Sequence, residues 1–298
     1  MIRGVFVGLS TIDVIYRVKS FPDPDSKITA HSQDVFVGGP ATNAAITFAH
    51  LGGDATLVTA LGCHPLATLV REELRKYCVR LTDLHPEFDE VPVISSIFVN
   101  SAGERNVISA NSARMGEIPV FVDDSICQEA AILLVDGHYM QACQFWARTA
   151  QARGKQVVLD GGSWKPGMGE LLGMIDTAIC SADFRPPGCS TSEDVLSYVS
   201  ACGVSRIAIS QGGGPIQYLN QGVRGSVVVP QVDLVDTTGA GDILHGAFCY
   251  YAAAGRDFAE SLRAAAAVAS ESCRFRGTRG WMNSAGAPRL TSPSDTSG

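Results

Sequence analysis

The sequence predicts an α/β fold: a doubly wound, mostly parallel sheet flanked by helices, with a small β-sheet lid. Three observations carry this expectation. Short apolar, β-branched runs recur along the chain, segments of helical character separate them, and two stretches, 12–37 and 92–110, break the alternation without offering a helix of useful length. Strands that alternate with helices build an open sheet with helices on both faces. Strands buried on both faces read as continuous apolar runs.

Taken in order, GVFVGL (4–9) is the first strand, and IDVIYRVKSFPDPDSKITAHSQDVFV (12–37) reads as strands and turns of the lid. A helix over 41–52, the strand ATLVTAL (55–61) and a helix over 65–77 follow. The stretch PVISSIFVNSAGERNVISA (92–110) looks like a hairpin around Ser-Ala-Gly-Glu and completes the lid. AAILLVDG (130–137), KQVVLDGG (155–162), DTAIC (176–180) and SRIAIS (205–210) are the remaining strands, with helices expected over 141–153, 167–174 and 191–202. Beyond residue 240 two helices, 240–254 and 257–273, join at Gly255. The Ser/Pro/Gly-rich end, SAGAPRLTSPSDTSG (284–298), is expected to be disordered. The expectation is thus one domain over 1–283 with the lid projecting from the sheet edge. Exposed β-edges invite pairing, which leaves a homodimer through the lid open.

The chain has 298 residues, 46% hydrophobic and 18% charged, the usage of a soluble globular protein though low in charge. A net charge of −7, with 23 basic residues that form no run of five, argues against a nucleic-acid surface, which needs Lys and Arg on phosphates. Nine irregularly spaced cysteines without a C-x-x-C pair read as free thiols in a reducing cytoplasm, not as a disulfide framework or zinc site. The N-terminus MIRGVFVGLSTIDVIYRV resembles a strand more than a secretion signal. No apolar stretch approaches the roughly 20 residues of a membrane span, so neither nucleic acid nor membrane is an expected partner.

One stretch carries chemistry. VDLVDTTGAGDILHGAF (232–248) places Asp236 and Asp242 on either side of Thr-Thr-Gly-Ala-Gly, ahead of a helix. Gly239 and Gly241 permit close backbone approach and positive φ, and the N–H groups around 239–242 would form an anion site at the helix N-terminus. Asp242 would repel a static anion at that mouth. It makes sense as a base that takes a proton from a hydroxyl attacking phosphorus, even though an aspartate near its reference pKa of about 3.9 is a weak one. The competing reading is an ordinary helix cap. There is no Walker-type G-x-x-x-x-G-K-[ST] and no strand-coupled G-x-G-x-x-G.

DTTGAGD (236–242) closely resembles the C-terminal signature of the ribokinase-like (PfkB) carbohydrate kinases, and VGGPATNAAITFAHLGG (37–53) resembles their N-terminal signature. GLSTIDVIYRVKSFPDPDSK (8–27) is similar to the family's opening, and order and spacing fit over residues 2–282. Within the family, DTTGAGDILHGA and CRFRGTRG look most like sulfofructose kinases, and the opening also looks like ketohexokinases. The resemblance implies a lid closing over a sugar and ATP beside the final helices, with the γ-phosphate passing to a primary hydroxyl and Mg²⁺ as cofactor. By position it implies that Asp242 is the base and that Gly239, Ala240 and Gly241 form the anion hole. Asp13, Gly39 and Asn43 match sugar-hydroxyl contacts. Arg105 matches an arginine that in some members reaches a phosphate or an anionic sugar group. Asp236 and Thr238 match a monovalent-cation loop, with K⁺ the expected ion. Gly212 and Gly214, in SQGGGP (210–215), border the adenine or phosphate region or form a plain turn.

Blander readings stand beside these: Asp13 as a turn acid, Asn43 as a helix cap, Arg105 as a solvated hairpin charge. Pro40 follows Gly39 where many members have Asn, which removes one sugar contact. The family's N-x-x-E stretch has no clean match; CSADFRPPG (180–188) stands there, leaving Asp183 or Asp160 as substitutes or as structural acids. His245, one turn past Asp242, faces the nucleotide or the core. The expected activity is an ATP-dependent sugar kinase acting on a furanose-forming ketose or modified hexose. A nucleoside kinase would want an aromatic sandwich for a base, and a catalytically silent sugar-binding regulator is the rival of another class.

Overall fold

The computed structural model describes residues 1–110, 115, 118–120 and 124–283. In chain order the strands are β1 (Arg3–Val7), β2 (Thr11–Arg17), β3 (Ser32–Gly38), β4 (Asp54–Thr59), β5 (Arg80–Asp83), β6 (Ile94–Val99), β7 (Arg105–Ser109), β8 (Ile132–Val135), β9 (Gln156–Gly161), β10 (Thr177–Ser181), β11 (Arg206–Gln211), β12 (Gly214–Asn220) and β13 (Val223–Val227). The helices are α1 (Pro40–His50), α2 (Ala67–Lys76), α3 (Asp124–Glu129), α4 (Met140–Ala152), α5 (Met168–Leu172), α6 (Ser192–Ala201), α7 (Ala240–Ala253) and α8 (Phe258–Ser272).

The large sheet runs β13-β12-β11-β10-β9-β8-β1-β4-β5. From β11 to β5 every pairing is parallel; β12 and β13 add an antiparallel edge. Successive side chains of β1 divide between the two faces. Phe6 packs into a core built with Ala44, Phe48 and Phe248 of α1 and α7, whereas Val5 and Val7 pack on the opposite side with Trp146, Leu171 and Val195 of α4, α5 and α6. Burial on both faces is why these strands are apolar throughout. Helix α1 is alanine-rich because α7 lies hard against it: a Cβ on Gly246 would come 2.3 Å from the Ala44 carbonyl. Gly255, at φ 88°, turns the chain between α7 and α8.

The two segments lacking helices form a second sheet, β3-β2-β6-β7. Its register aligns Phe36, Asp13, Ser95 and Ser109 in one row across the strands. The next row, Val35, Val14, Ser96 and Ile108, points the other way, with Val35 and Ile108 exposed. A dimer clasped through this sheet would cover that outer face.

Three elements are absent from the sequence reading: β5, α3 and the β12–β13 hairpin. Each is short or half polar, and so lacks the apolar periodicity that marked the others. The hairpin turns at Gln221 and Gly222, both with positive φ (49° and 83°), as a tight two-residue connection requires. The 284–298 segment expected to be disordered lies outside the described residues. Among the described residues no helix is long and apolar enough to cross a membrane.

Candidate active site

The glycine turn forms a wall shared by two cavities. Gly239 is the N-cap of α7 in left-handed conformation, φ 68°. A Cβ there would meet Thr278 Cγ2 at 2.4 Å and Asn43 Nδ2 at 3.4 Å, so both backbone conformation and space demand glycine. On one side Thr237, Ala240 and Gly241 border a cavity of about 370 Å³ whose other walls include Ile216, Val229 and Ala266. On the other side Thr238, Gly239 and Asp242 border a cavity of about 480 Å³ with Thr11, Asp13, Asn43, Ser95, Ser109 and His138. The first has mainly apolar walls; the second combines hydroxyls, acids and an amide with apolar walls from Leu9, Ile97 and Val107.

Asp242 stands on the polar side, where its Oδ2 accepts a hydrogen bond of 2.7 Å from Asn43 Nδ2. Desolvation, then the charge of Asp160, pushes its carboxyl up to about 7, opposed by the Asn43 bond and the charge of His245 and reinforced by Asp13. The sequence reading supposed an ordinary weak carboxylate; the fold makes Asp242 a considerably stronger base. The Ala240 N–H, one of the expected anion donors, turns back onto the Thr237 carbonyl at 3.3 Å.

Of the expected sugar contacts, Asp13, Gly39 and Asn43 converge on the polar cavity with Asp242. Asp13 accepts from the Thr11 hydroxyl at 2.8 Å. Burial raises its carboxyl above the ordinary value against hydrogen bonds from Thr11 and Ser95 and the charge of Arg279. Glycines make room for these groups: a Cβ on Gly38 would lie 1.9 Å from Asp13 Oδ2, and one on Gly39 2.2 Å from the Leu9 carbonyl. Asn43 is no helix cap. Gly39 is the N-cap of α1 and its carbonyl accepts the Asn43 N–H, one turn in. Pro40 occupies the first turn, where a missing N–H costs nothing.

Arg105 does not line the polar cavity. From β7, where it is exposed, it donates to the Thr237 hydroxyl at the turn. Gly212 and its neighbour Gly213 border the apolar cavity while making the β11–β12 turn. Gly214 begins β12 and is not among the residues lining that cavity.

The residues expected to form the cation loop are bonded to one another and to neighbouring groups. Asp236 Oδ1 accepts from the Thr238 N–H (2.9 Å) and hydroxyl (2.7 Å), and Oδ2 accepts from Arg17 Nη2 (3.2 Å) and the Gly277 N–H (3.1 Å). A carboxylate offers about four lone-pair sites, and all are taken. Burial alone would raise the Asp236 carboxyl, but the Thr238, Gly277 and Arg17 contacts outweigh it and hold it below its usual range. The donor set does not fit a monovalent cation, and a guanidinium already supplies the positive charge. Turnover should therefore be equal in K⁺, Na⁺ and tetramethylammonium at fixed ionic strength; a rise specific to K⁺ in initial-rate assays would show that the loop opens to an ion.

His245 faces the core, its Nε2 3.0 Å from the Ile179 carbonyl and its Nδ1 2.6 Å from the Gly241 carbonyl. Asp160 Oδ2 lies 3.3 Å from the same Nδ1 but accepts no hydrogen bond. Asp183 is exposed on the loop after β10. Two functional candidates escaped the sequence reading. Asp136, following β8, accepts from the Leu9 N–H at 2.8 Å and the Ala41 N–H at 3.4 Å, tying the sheet to the start of α1. Arg279 reaches Asn43 Oδ1 at 2.9 Å from the far end of the chain. A strand-ending Asp-Gly was a signal for the first; the second lies in CRFRGTRG (273–280), a segment the resemblance marked without giving Arg279 a role.

Comparison with known proteins fits this geometry. The model of the pfkB family carbohydrate kinases matches residues 1–284. A ribokinase of Arabidopsis thaliana is 27% identical over 92% of this chain and 76% of its own length. An ATP-dependent ribose-1-phosphate kinase of Halopiger xanaduensis is 28% identical over 83% of this chain and 84% of its own. The structure of Arabidopsis thaliana ribokinase complexed with ribose and ATP superposes with a TM-score of 0.76 at 26% identity, covering 93% of each chain. These relatives carry the names of pentose kinases, not of sulfofructose kinases or ketohexokinases.

Proposed function

The chain belongs to the pfkB family of carbohydrate kinases, and from that premise we propose that it transfers the γ-phosphate of ATP to a primary hydroxyl of a neutral, furanose-forming sugar. One observation carries the reading: the glycine turn is the common wall of an apolar and a polar cavity, with Gly241 on the first and Asp242 on the second. A nucleotide base suits the apolar side and a polyol the side that carries hydroxyls and acids, so the turn lies where phosphate must pass. Phosphoryl transfer asks the protein mainly for positioning and charge stabilisation. Here the Gly241 and Asp242 N–H groups, at the start of α7, would meet the phosphoryl oxygens, and Asp242 would take the hydroxyl proton as the oxygen bonds to phosphorus.

Among the described residues no three His, Cys, Asp or Glu side chains converge as a metal site. Mg²⁺ would therefore enter on the nucleotide's phosphates, offsetting their charge. The buried Asp160, whose Oδ2 accepts no hydrogen bond, is the acid suited to its waters. The second sheet, which brings Asp13, Ser95 and Ser109 to the sugar side, acts as the lid. All nine cysteines are free, which suits a reducing cytoplasm.

The sugar is inferred to be neutral because no lysine or arginine is among the described residues lining its cavity. Among the described residues no Phe, Tyr or Trp lines it, and His138 is its one aromatic ring, so it lacks the aromatic sandwich a nucleoside base would want. A ribose-type pentose leads on the relatives' names; a ketose or modified hexose follows from the sequence resemblance. ADP release should be measured with ribose, fructose, sulfofructose, ribose 1-phosphate and adenosine. Turnover of a neutral sugar is the expected result. Turnover of adenosine alone, or sugar binding without ADP release, would replace this reading by a nucleoside kinase or a silent binder.

A further inference from the structure

We propose that Arg279 is a positioning residue for the reaction: it fixes the side-chain amide of Asn43 so that its NH₂ group, and not its oxygen, faces Asp242. The inference rests on the reading of Asp242 as the base. Arg279 is 8% exposed and Asn43 3%. Arg279 Nη1 donates to Asn43 Oδ1 at 2.9 Å and Nη2 to the Val37 carbonyl at 3.2 Å, while Nε lies 3.3 Å from Glu73 Oε1 and the guanidinium stands 5.8 Å over the Tyr77 ring. Four anchors leave it little freedom.

The orientation follows from donor chemistry. Asn oxygen and nitrogen look alike in shape, but arginine can only donate. Whichever Asn43 atom meets Arg279 must be the oxygen, so the nitrogen must meet Asp242, where it lies 2.7 Å from Oδ2. An amide flipped by a half-turn would set two donors against each other at Arg279 and two oxygens against each other at Asp242. The amide donor favours the ionised form of Asp242, the form able to accept a proton, against the desolvation and the Asp160 charge that disfavour it. Without the guanidinium the amide is free to rotate, and its oxygen would then accept a hydrogen bond from the protonated carboxyl of Asp242, favouring the neutral form. The charged and titratable groups around this pair are Asp13 on β2, Asp160 on β9, His245 on α7, Glu73 and Tyr77 beside α2, and His138 in the cavity wall.

The test is the pH profile of kcat/KM for Arg279→Met and Arg279→Lys, each also in an Asn43→Ala background, with KM for ATP and thermal midpoints measured alongside. Arg279→Met should move the acid limb to higher pH by about one unit, costing about fivefold at pH 7 and much less at pH 9, with KM for ATP unchanged. Arg279→Lys, which keeps the charge and one donor, should restore part of the shift and covers the case in which the Met variant does not fold. In the Asn43→Ala background neither change should move the limb further, because residues acting through one contact are not additive. A limb that stays in place while kcat falls equally at every pH, or equal limb shifts with and without Asn43, would overturn the proposal. An Asp242→Asn variant that stays active would instead remove the reading beneath it.

Discussion

Asp242→Asn should keep sugar and ATP binding but lose turnover by ~10²–10⁴-fold, the usual cost of removing a positioned base. The substitution is nearly isosteric, and Asn caps a helix about as well as Asp, so a capping role would leave the rate almost intact. The pH dependence sharpens the distinction. A base must be ionised to accept a proton, so wild-type kcat/KM should fall as pH drops through about 7, where the half-buried carboxyl of Asp242 takes up its proton. Stability moves the opposite way. The folded state holds this proton up to about 7, whereas the unfolded chain releases it near 3.9, the approximate reference value. The folded protein therefore binds more protons in that window, and its stability declines as pH rises across it. Asn carries no charge, so Asp242→Asn should melt above the wild type at pH 8 and lose that advantage toward pH 4. Steady-state kinetics and thermal melts across that range check both. Near wild-type turnover, or melting differences that do not vary with pH, would remove Asp242 from the role of a raised-pKa base.

Gly239→Ala should lower kcat by ~10²-fold, the scale associated with a misplacement of about 1 Å at a reacting centre. At φ 68° the residue sits where a Cβ is unfavourable, at roughly 1–2 kcal/mol for an L-residue. The new methyl would also collide with Thr278 Cγ2 at 2.4 Å. The turn must then shift, carrying the first N–H groups of α7 and Asp242 away from the line between the two cavities. Adding Thr278→Ser deletes the colliding methyl and should return part of kcat, leaving only the backbone strain. Full activity in Gly239→Ala would mean that the turn does not set the transfer geometry. A loss that Thr278→Ser leaves untouched would assign it to backbone strain alone.

The amino-acid sequence by itself determined the parallel core, because strands buried on both faces are apolar without interruption and each lies within a few residues of its own turn and helix. It marked the second sheet by the absence of a helix over 12–37 and 92–110, and the phosphate turn by Gly239, whose positive φ is a local requirement; Gly241 lies within α7 and needs no such conformation. Asp13, Gly39, Asn43 and Asp242 were legible for the same reason: each stands at a fixed offset within a short segment.

The tertiary structure alone decided how those groups behave. Asn43 and Asp242 are 199 residues apart, Arg279 is 236 from Asn43, and Arg17 is 219 from Asp236. Only the packing of α1 against α7, with the closing loop of the chain between them and the second sheet, brings these partners together. That packing desolvates Asp242 into a stronger base, fills every lone pair of Asp236, and points Arg105 at the turn rather than the sugar. Charge state and coordination capacity depend on which groups surround an atom in space, and periodicity and spacing describe only neighbours along the chain.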